Sequence, residues 1–562
     1  MIEELTPKIM MSLMLLLILT ASILTPLLSA LLLWLYQRKV TLKMASMGGY
    51  DGPSPGEAIK NSPQPSGRKE NRKNTVAEGS GLSRQALRAP WRCALRLSIA
   101  GLLFALVFAL AAHVVLPTGL KLPGFFIGVW IYTWPLFLTL PLIVPVSVRH
   151  WALIMLAYFM VFALLGAWAA TVKNLPEYRF GGFFMPARSS VTPMGMVKLW
   201  LLANSAPTLL AWFCFIRRIR AVAPLVLAFV VVCIGGLIAG WLGLFSKSGT
   251  DAVVTLSVSW DLHVGWFLLA ALILALACLV VFGWLLIRCI AVAYCRRWLS
   301  DQSLTLDALW LLFGSFYGMW LVQGGVMWIA TLPAAFLVFR TVLEVSARIH
   351  GTKAGTGSGL IFLRVFSLGR RSDTLLNLVA MHWRYLGSIQ MITGPDVARS
   401  TVQPHQFLDF ISGKLTSHFV SDPISLNRCL AGQDHAPDPD NRYRINNFFC
   451  YKDSWKPALL ALVREGGIVL MDLRSFSYAN AGCIHELQML IREVPMDRCL
   501  LVVDDTTDEV FLENTLTTAL AKLTPDAPNR DRTPREMTLV RFEQGTTQVH
   551  RLIHQLCLTS AR

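Results

Sequence analysis

The side chains best suited to chemistry follow short apolar runs within residues 360–562. Asp472 ends one such run, and Asp504, with Asp505 beside it, ends another. Carboxylates at neighbouring strand ends can hold Mg²⁺, a hard cation that prefers oxygen ligands. Acidic residues at such positions also commonly cap the loops that follow, by accepting backbone hydrogen bonds. The sequence leaves both interpretations open and assigns no metal ligand.

Apolar runs of strand length alternate with segments of helical spacing in this part of the chain. Such alternation favours a parallel sheet with helices on both faces. We therefore predict a soluble, doubly wound α/β domain with five strands. The predicted strands cover residues 360–366, 388–393, 468–473, 498–504 and 538–542. Residues 421–444, rich in Pro, Asp and Asn, are interpreted as an insertion.

The predicted sheet locates a candidate ligand site. In doubly wound sheets, ligands bind beyond the carboxyl ends of the strands, at the point where the strand order reverses. No Walker motif or G-x-G-x-x-G follows the first strand, so this prediction rests on fold geometry alone. The ligand-binding candidates are the polar residues and one glycine after the predicted strands: Ser367, Arg370, Arg371, Asp373, Gly394, Asp396, Asp472, Ser475, Asn480 and Asp504.

The stretch Ile468–Leu487 consists of a buried-type strand, a polar loop and a helix with Asn480 as its predicted N-cap. Its Cys483-x-x-Glu486-Leu487 is similar to the end of a pattern in the TIR family, roughly S-x-W-C-x-x-E-L. Gly482 stands in place of the Trp of that pattern, and Asn480 in place of its Ser. TIR domains are five-stranded flavodoxin-like modules, so the resemblance implies a flavodoxin-like fold for residues 360–562.

The resemblance also implies a catalytic role for Glu486. In catalytic TIR domains, the corresponding glutamate assists cleavage of the nicotinamide–ribose bond of NAD. Glu486 would then stabilise an oxocarbenium-like ribosyl centre, in a pocket lined by Ser367, Arg370, Arg371 and Asp373. A second interpretation needs no chemistry, because a negative charge in the first turns of a helix is favourable to the helix dipole.

The rest of the chain has the composition of a membrane protein. The chain is 54% hydrophobic and 15% charged, with a mean hydropathy of +0.52, whereas soluble domains carry about 25% charged residues. Residues 1–350 hold 28 Lys and Arg against 12 Asp and Glu, and residues 351–562 hold 23 against 22. This distribution excludes a single globular enzyme, a disordered or collagenous chain and a secreted disulfide scaffold.

Seven apolar runs are long enough to cross the hydrocarbon core, which takes about 20 residues of helix. They are Ile9–Tyr36, Leu97–Leu116, Phe125–Val148, Trp151–Val172, Val197–Ile216, Ala221–Phe245 and Val264–Tyr294. The first run is too long for a signal-peptide core, so we expect it to be retained as a transmembrane helix. The apolar stretch Leu306–Leu343 is interrupted by glycines and a proline and is predicted to form a broken helix pair.

These patterns predict a polytopic α-helical membrane domain followed by the soluble α/β domain. The predicted parts are a first transmembrane helix at 1–36, a basic, largely disordered cytoplasmic loop at 37–96, a multi-pass domain at 97–349, a linker at 350–359 and the α/β domain at 360–562. The Lys and Arg of the loops, together with cysteines that form no CxxC motif, place the C-terminal domain in the cytoplasm of a bacterial inner (plasma) membrane. The whole chain is similar to bacterial multi-pass membrane proteins.

The leading functional hypothesis is a membrane-anchored signalling protein whose α/β domain binds a nucleotide. The alternatives are a membrane-anchored NAD or nucleotide N-glycosidase, a transporter with a regulatory domain, and a protein-interaction module. Asp251, Asp261 and Asp307 all fall at the edges of membrane runs or in loops, which weakens the transporter hypothesis. We expect the lipid bilayer and a nucleotide as partners and no specific nucleic acid; homo-oligomerisation stays open, and the sequence identifies no cofactor.

Overall fold

The computed structural model divides into two compact units. Unit 1 comprises residues 1–34, 96–141 and 146–345, and unit 2 comprises residues 35–95, 142–145 and 346–562. The structure describes, apart from a few shorter pieces, residues 2–45, 72–115, 122–171, 193–216, 221–230, 247–261, 263–321, 331–349, 359–365, 370–394, 404–450, 452–530, 537–543 and 546–561.

Long apolar helices make up unit 1 and extend into unit 2. The helices of this part are α1 Ile2–Ala45, α2 Arg72–Val115, α3 Leu122–Tyr132, α4 Trp134–Ile143, α5 Val148–Thr171, α6 Pro193–Ala211, α7 Lys247–Trp260, α8 Val264–Cys295, α9 Asp301–Leu321 and α10 Thr331–Ile349. Leu306–Leu343 thus forms two helices, as predicted.

Six helical segments among the described residues are long and apolar enough to cross a membrane. They are Ile18–Ala45, Glu78–Val115, Leu122–Ile143, Val148–Thr171, Pro193–Phe215 and Asp301–Leu321. These segments indicate a membrane protein. Of the other predicted runs, Ala221–Phe245 lies largely outside the described residues. Val264–Tyr294 lies within α8, a continuous helix of 32 residues.

Unit 1 is packed by aromatic side chains, and Asp307 and Arg340 form an ion pair among its described residues. The Phe104 ring of α2 contacts the Trp310 ring of α9 at 5.0 Å between centroids, and Trp310 contacts Phe339 of α10 at 4.7 Å. Asp307, predicted at the edge of a membrane run, lies inside α9 instead. It is buried and accepts a 2.9 Å hydrogen bond from Arg340 of α10. The sequence prediction missed this pair because the two residues are a helix apart in the chain.

Unit 2 contains a seven-stranded, all-parallel sheet. Its strands are β1 Leu360–Arg364, β2 Ile389–Thr393, β3 Phe419–Val420, β4 Ile445–Cys450, β5 Ile468–Asp472, β6 Cys499–Val503 and β7 Thr538–Arg541. Their order is β3-β4-β2-β1-β5-β6-β7. All five predicted strands are present and correspond to β2, β1, β5, β6 and β7, which are neighbours in this order. The prediction of five strands was wrong, however, because it missed β3, which has two residues, and β4, in which Asn446 and Asn447 interrupt the apolar pattern.

Helices cover both faces of this sheet. They are α11 Arg370–Trp383, α12 Pro404–Ile411, α13 Pro423–Ala431, α14 Trp455–Glu465, α15 Ala481–Glu493, α16 Glu509–Ala521 and α17 Thr546–Ser560. Ile361 and Leu363 of β1 point into one core with α14, α15 and α16, and Leu360 and Phe362 point into another with α11 and α17. Burial on both faces explains why β1 is an uninterrupted apolar run rather than an alternating one.

The ends of α1 and α2 belong to unit 2 and enter its cores. Tyr36, Val40 and Met44 of α1 recur every four residues, line one side of the helix, and pack on Phe419 and Phe449. On α2, Ala86 is fully buried in the core that α11 and α17 share. The predicted disordered loop at 37–96 is therefore helical to Ala45 and again from Arg72, because apolar residues at helical spacing lie among its basic ones. Residues 46–71 lie outside the described part of the chain, so disorder there stays a prediction.

Two glycines of α2 provide a matched test of this packing. A Cβ at Gly79 would lie 2.9 Å from the backbone Cα of Leu558 in α17, whereas a Cβ at Gly81 would meet nothing within 4 Å. We expect Gly79→Ala to force α2 and α17 apart and to lower the melting temperature of the full-length protein in nanodiscs. Gly81→Ala should be neutral or stabilise α2 by up to about 1 kcal/mol, the difference in helix propensity. Equal melting temperatures for the two variants would contradict this packing.

Candidate functional site

The strand order places a switch point between β1 and β5. The chain leaves β1 for β2 on one side of the sheet, and the later strands β5, β6 and β7 extend on the other side. Arg364, the last residue of β1, is paired in register with Asp472, the last residue of β5. In parallel sheets this edge is where ligands bind.

Two buried ion pairs form at this edge. The Arg364 guanidinium donates through Nη1 to Asp373 Oδ1 of α11 at 2.9 Å. Asp472 accepts two hydrogen bonds of 2.8 Å from the Nε and Nη2 atoms of Arg474, which lies two residues further along the chain. All four side chains are less than a tenth exposed. A buried charge is tolerated only when it is paired and hydrogen-bonded, as these are.

A third ion pair lies at the surface of the same edge. Arg371 of α11 donates to Asp504, the residue after β6, and its Nη1 donates to Ser475 Oγ at 3.3 Å. Ser475 Oγ lies 2.8 Å from Thr506 Oγ1. Arg474 Nη2 donates to the Arg371 carbonyl oxygen at 2.9 Å. This bond connects the surface pair with the buried pair of Arg474. We call these eight side chains the switch-point network: Arg364, Arg371, Asp373, Asp472, Arg474, Ser475, Asp504 and Thr506.

The hydrogen bonds and charges of the network act on the pKa of Asp504. Burial acts to raise the pKa of Asp504, but the hydrogen bonds from Thr506 and the charges of Arg371 and Arg474 outweigh burial and lower that pKa. The three arginines of the network balance its three aspartates. Ser475 has a φ of +60°, a left-handed conformation that non-glycine residues adopt only when their surroundings enforce it. The hydroxyl of Ser475 is therefore held in place beside Arg371.

The structure brings together five of the ten predicted ligand residues: Arg371, Asp373, Asp472, Ser475 and Asp504. The other five are placed differently. Asn480 precedes α15, but its side chain does not cap that helix as predicted. Its Oδ1 instead accepts from the Ser477 backbone N–H at 2.9 Å, which closes the loop after β5. Gly394 follows β2 and joins no part of the network in the described residues. Ser367, Asp396 and the side chain of Arg370 lie outside the described residues.

Arg364, Arg474 and Thr506 complete the network although they are not among the ten ligand-binding candidates. Arg364 belongs to the predicted strand 360–366, whereas Arg474 and Thr506 lie in the loops that follow two other predicted strands. A signal for Arg474 was present, since an arginine two residues after a buried strand-end aspartate can fold back onto it. The aspartates considered as Mg²⁺ ligands are bonded to arginines instead; Asp505, for example, bonds Arg541 at 3.1 Å. These bonds favour the interpretation in which the aspartates fix the loops that follow the strands. The described residues contain no group of three His, Cys, Asp or Glu side chains placed to hold a metal.

Glu486 lies in α15 with 2% of its surface exposed. Its Oε2 atom is buried and has no hydrogen-bond partner in the described part of the chain. Burial alone raises the pKa of Glu486 to about 8. The side chain is therefore mostly protonated at neutral pH, so the helix-dipole interpretation, which requires a negative charge, does not account for it. Its catalytic role stays a prediction.

The fold defines a helical membrane protein with a parallel α/β unit. Comparison of the chain with protein-family models, curated proteins and solved structures finds no match in any of the three. The TIR resemblance of Cys483 to Leu487 thus receives no support from them.

Proposed function

We propose that this is a multi-pass membrane protein whose α/β unit binds a nucleotide, or a related phosphate-bearing ligand, at the switch-point network and uses it for signalling. The observation that carries this proposal is the placement of Arg371. Its side chain is 44% exposed although the aspartate that it pairs with is buried. An arginine so anchored presents a fixed guanidinium to solvent at the edge where such sheets bind ligands.

The chemistry around Arg371 suits a phosphate group. A guanidinium offers a planar fork of N–H donors that matches phosphate oxygens. The hydroxyls of Ser475 and Thr506 lie next to this fork and supply further donors. The Asp504 carboxylate accepts a hydrogen bond from this guanidinium, so a bound phosphate would compete with the carboxylate and release it. Such an exchange gives ligand binding a local consequence at the loop after β6, as a signalling domain requires.

The cellular setting belongs to the same proposal. The basic residues between the apolar runs support a bacterial inner membrane location with the α/β unit in the cytoplasm, where nucleotides are abundant. We propose that the membrane helices anchor the α/β unit or respond to its ligand.

Binding to the full-length protein in nanodiscs tests this function. We expect ATP, GTP or NAD to bind the wild-type protein in calorimetry, and Arg371→Ala to weaken that binding about 10- to 100-fold, since hydrogen bonds to a charged group contribute about 1.5–3 kcal/mol. Arg464→Ala is the matched control, because Arg464 is also partly exposed and paired with a glutamate, Glu493, but lies before β5 at the opposite edge of the sheet. Absence of binding to the wild-type protein, or an equal loss in both variants, would refute the proposal.

A further inference from the structure

The geometry points to a phosphate subsite formed by Arg364, Ser372 and Thr393 at the first turn of α11. This inference rests on the proposed function and specifies which part of the ligand is bound and by which atoms. Arg371, a member of the switch-point network, is partly exposed on this turn. The three residues of the subsite are buried.

Three polar atoms in this region are buried and have no hydrogen-bond partner among the described residues. They are Arg364 Nη2, Ser372 Oγ and Thr393 Oγ1. Ser372 and Thr393 are completely buried, and Arg364 is 6% exposed. Burying a polar group without a partner costs free energy, so folded proteins contain few such atoms. Three such atoms at the ends of β1 and β2 and in the first turn of α11 point to a group from outside the chain as their partner.

The sheet register and one ion pair bring the three residues together. Phe362 of β1 pairs with Met391 of β2. Arg364 and Thr393, each two residues further on, are therefore at the carboxyl ends of these neighbouring strands and on the same face of the sheet. That face is the one covered by α11. The hydrogen bond from Arg364 Nη1 to Asp373 Oδ1 then holds the guanidinium against the first turn of α11, where Ser372 directly precedes Asp373.

The three atoms define the kind of ligand group that fits. Arg364 Nη2 is a donor only, and the two hydroxyls can each donate, so the group must present several acceptor oxygens. The N-terminus of a helix carries a partial positive charge, which favours an anion. Asp373 is the opposing charge at this site, and Arg364 Nη1 already neutralises it. A phosphate of the nucleotide satisfies all of these conditions.

The three buried polar atoms without hydrogen bonds to the described residues destabilise the folded protein, and a bound phosphate would remove this cost. Because the three atoms are shielded from solvent, a phosphate reaches them only when the groups around them move apart. Removing the hydroxyls should therefore stabilise the folded protein when no phosphate is added and, at the same time, weaken the binding of phosphate. A structural role for these hydroxyls predicts the opposite effect on stability.

The test compares Ser372→Ala, Thr393→Val and the double variant with the wild-type full-length protein in nanodiscs. Without ligand, we expect melting temperatures equal to or higher than that of the wild type. With ATP and with inorganic pyrophosphate as probes, we expect affinities at least tenfold weaker, whereas adenosine should bind unchanged. Thr507→Val is the control, since the buried Thr507 hydroxyl has partners, donating to the Leu473 carbonyl and accepting from the Asp504 N–H at 3.1 Å each. It should lower the melting temperature by about 2–4 °C or more.

Two results would overturn the subsite. The first is a lower melting temperature for Ser372→Ala and Thr393→Val, comparable to that of Thr507→Val, which would show that these hydroxyls are already satisfied, for instance by water. The second is unchanged affinity for ATP and pyrophosphate in both variants. Wild-type binding of ATP that both variants leave unchanged would remove the subsite alone and leave the phosphate site at Arg371. A wild-type protein that binds adenosine as tightly as ATP, or that binds none of the probes, would remove both proposals.

Discussion

Replacing Arg444 with alanine is expected to destabilise the α/β unit by about 3–5 kcal/mol, the typical cost of removing one partner of a buried ion pair. Arg444 precedes β4, and its side chain is 4% exposed. It binds Asp438 through Nε at 3.0 Å and through Nη2 at 2.9 Å, and Asp434 through Nη1 at 3.2 Å. Asp438 has no exposed side-chain surface, so alanine at 444 would remove the positive charge and the hydrogen bonds that Arg444 supplies to a buried carboxylate.

Hydrogen exchange of the full-length protein in nanodiscs measures this loss locally. The amides of β4 and β2, which pair with each other in parallel, should exchange much faster in Arg444→Ala than in the wild-type protein. Arg428→Ala is the control, because Arg428 is exposed on α13, where surface substitutions change stability by about 0.5 kcal/mol or less. Wild-type protection of β4 in Arg444→Ala would show that the ion pairs do not hold this edge of the sheet.

Replacing Glu486 with glutamine is expected to stabilise the protein at high pH and to leave it unchanged at low pH. The pKa of Glu486 is raised by burial from 4.5 to about 8 in the folded protein. Below pH 4.5, both the folded and the unfolded chain hold the proton, so the contribution of Glu486 does not vary with pH. Between pH 4.5 and 8 the folded chain holds the proton and the unfolded chain does not. Stability therefore falls as the pH rises through this range, by about 3–5 kcal/mol in total.

Glutamine has nearly the shape of the protonated side chain and cannot ionise, so this loss should be absent from Glu486→Gln. The measurement is the melting temperature of both proteins from pH 5 to pH 9. The two curves should coincide at pH 5 and separate steadily above it, with the variant more stable. Glu513→Gln is the control, because Glu513 is exposed on α16. Parallel curves for wild type and Glu486→Gln would mean that Glu486 is ionised in the folded protein at neutral pH.

The sequence was sufficient for the elements whose burial follows a simple pattern. Runs such as Ile468–Asp472 and Cys499–Val503 are buried on both faces and therefore apolar throughout. β4 was not predicted because its Asn446 and Asn447 form contacts with tertiary partners. Asn446 bonds the backbone of Asp434, and Asn447 lies 2.7 Å from His405 Nε2. Polar residues inside a strand can be explained only when these distant partners are known.

The same distinction applies to the candidate site. Asp472 and Asp504 were found because strand-end positions can be counted along the sequence. The role of Arg364 was not found, because a charged residue at a strand end is indistinguishable by pattern from a solvent-exposed one. Its partner Asp373 and its neighbour Thr393 come from two other elements. The docking of α1 and α2 was also missed, because the basic residues of 37–96 dominate the composition and hide the apolar spacing of Tyr36, Val40 and Met44.

Photoaffinity labelling tests nucleotide binding at the switch-point network, since it locates the ligand without prior choice of a variant. The full-length protein in nanodiscs would be irradiated with azido derivatives of ATP and NAD, and the labelled peptides identified by mass spectrometry. We expect label within residues 364–373, 472–480 and 504–507, removed by an excess of the unmodified nucleotide. Label spread over the membrane helices, or concentrated at the opposite edge of the sheet near residues 432–446, would contradict it.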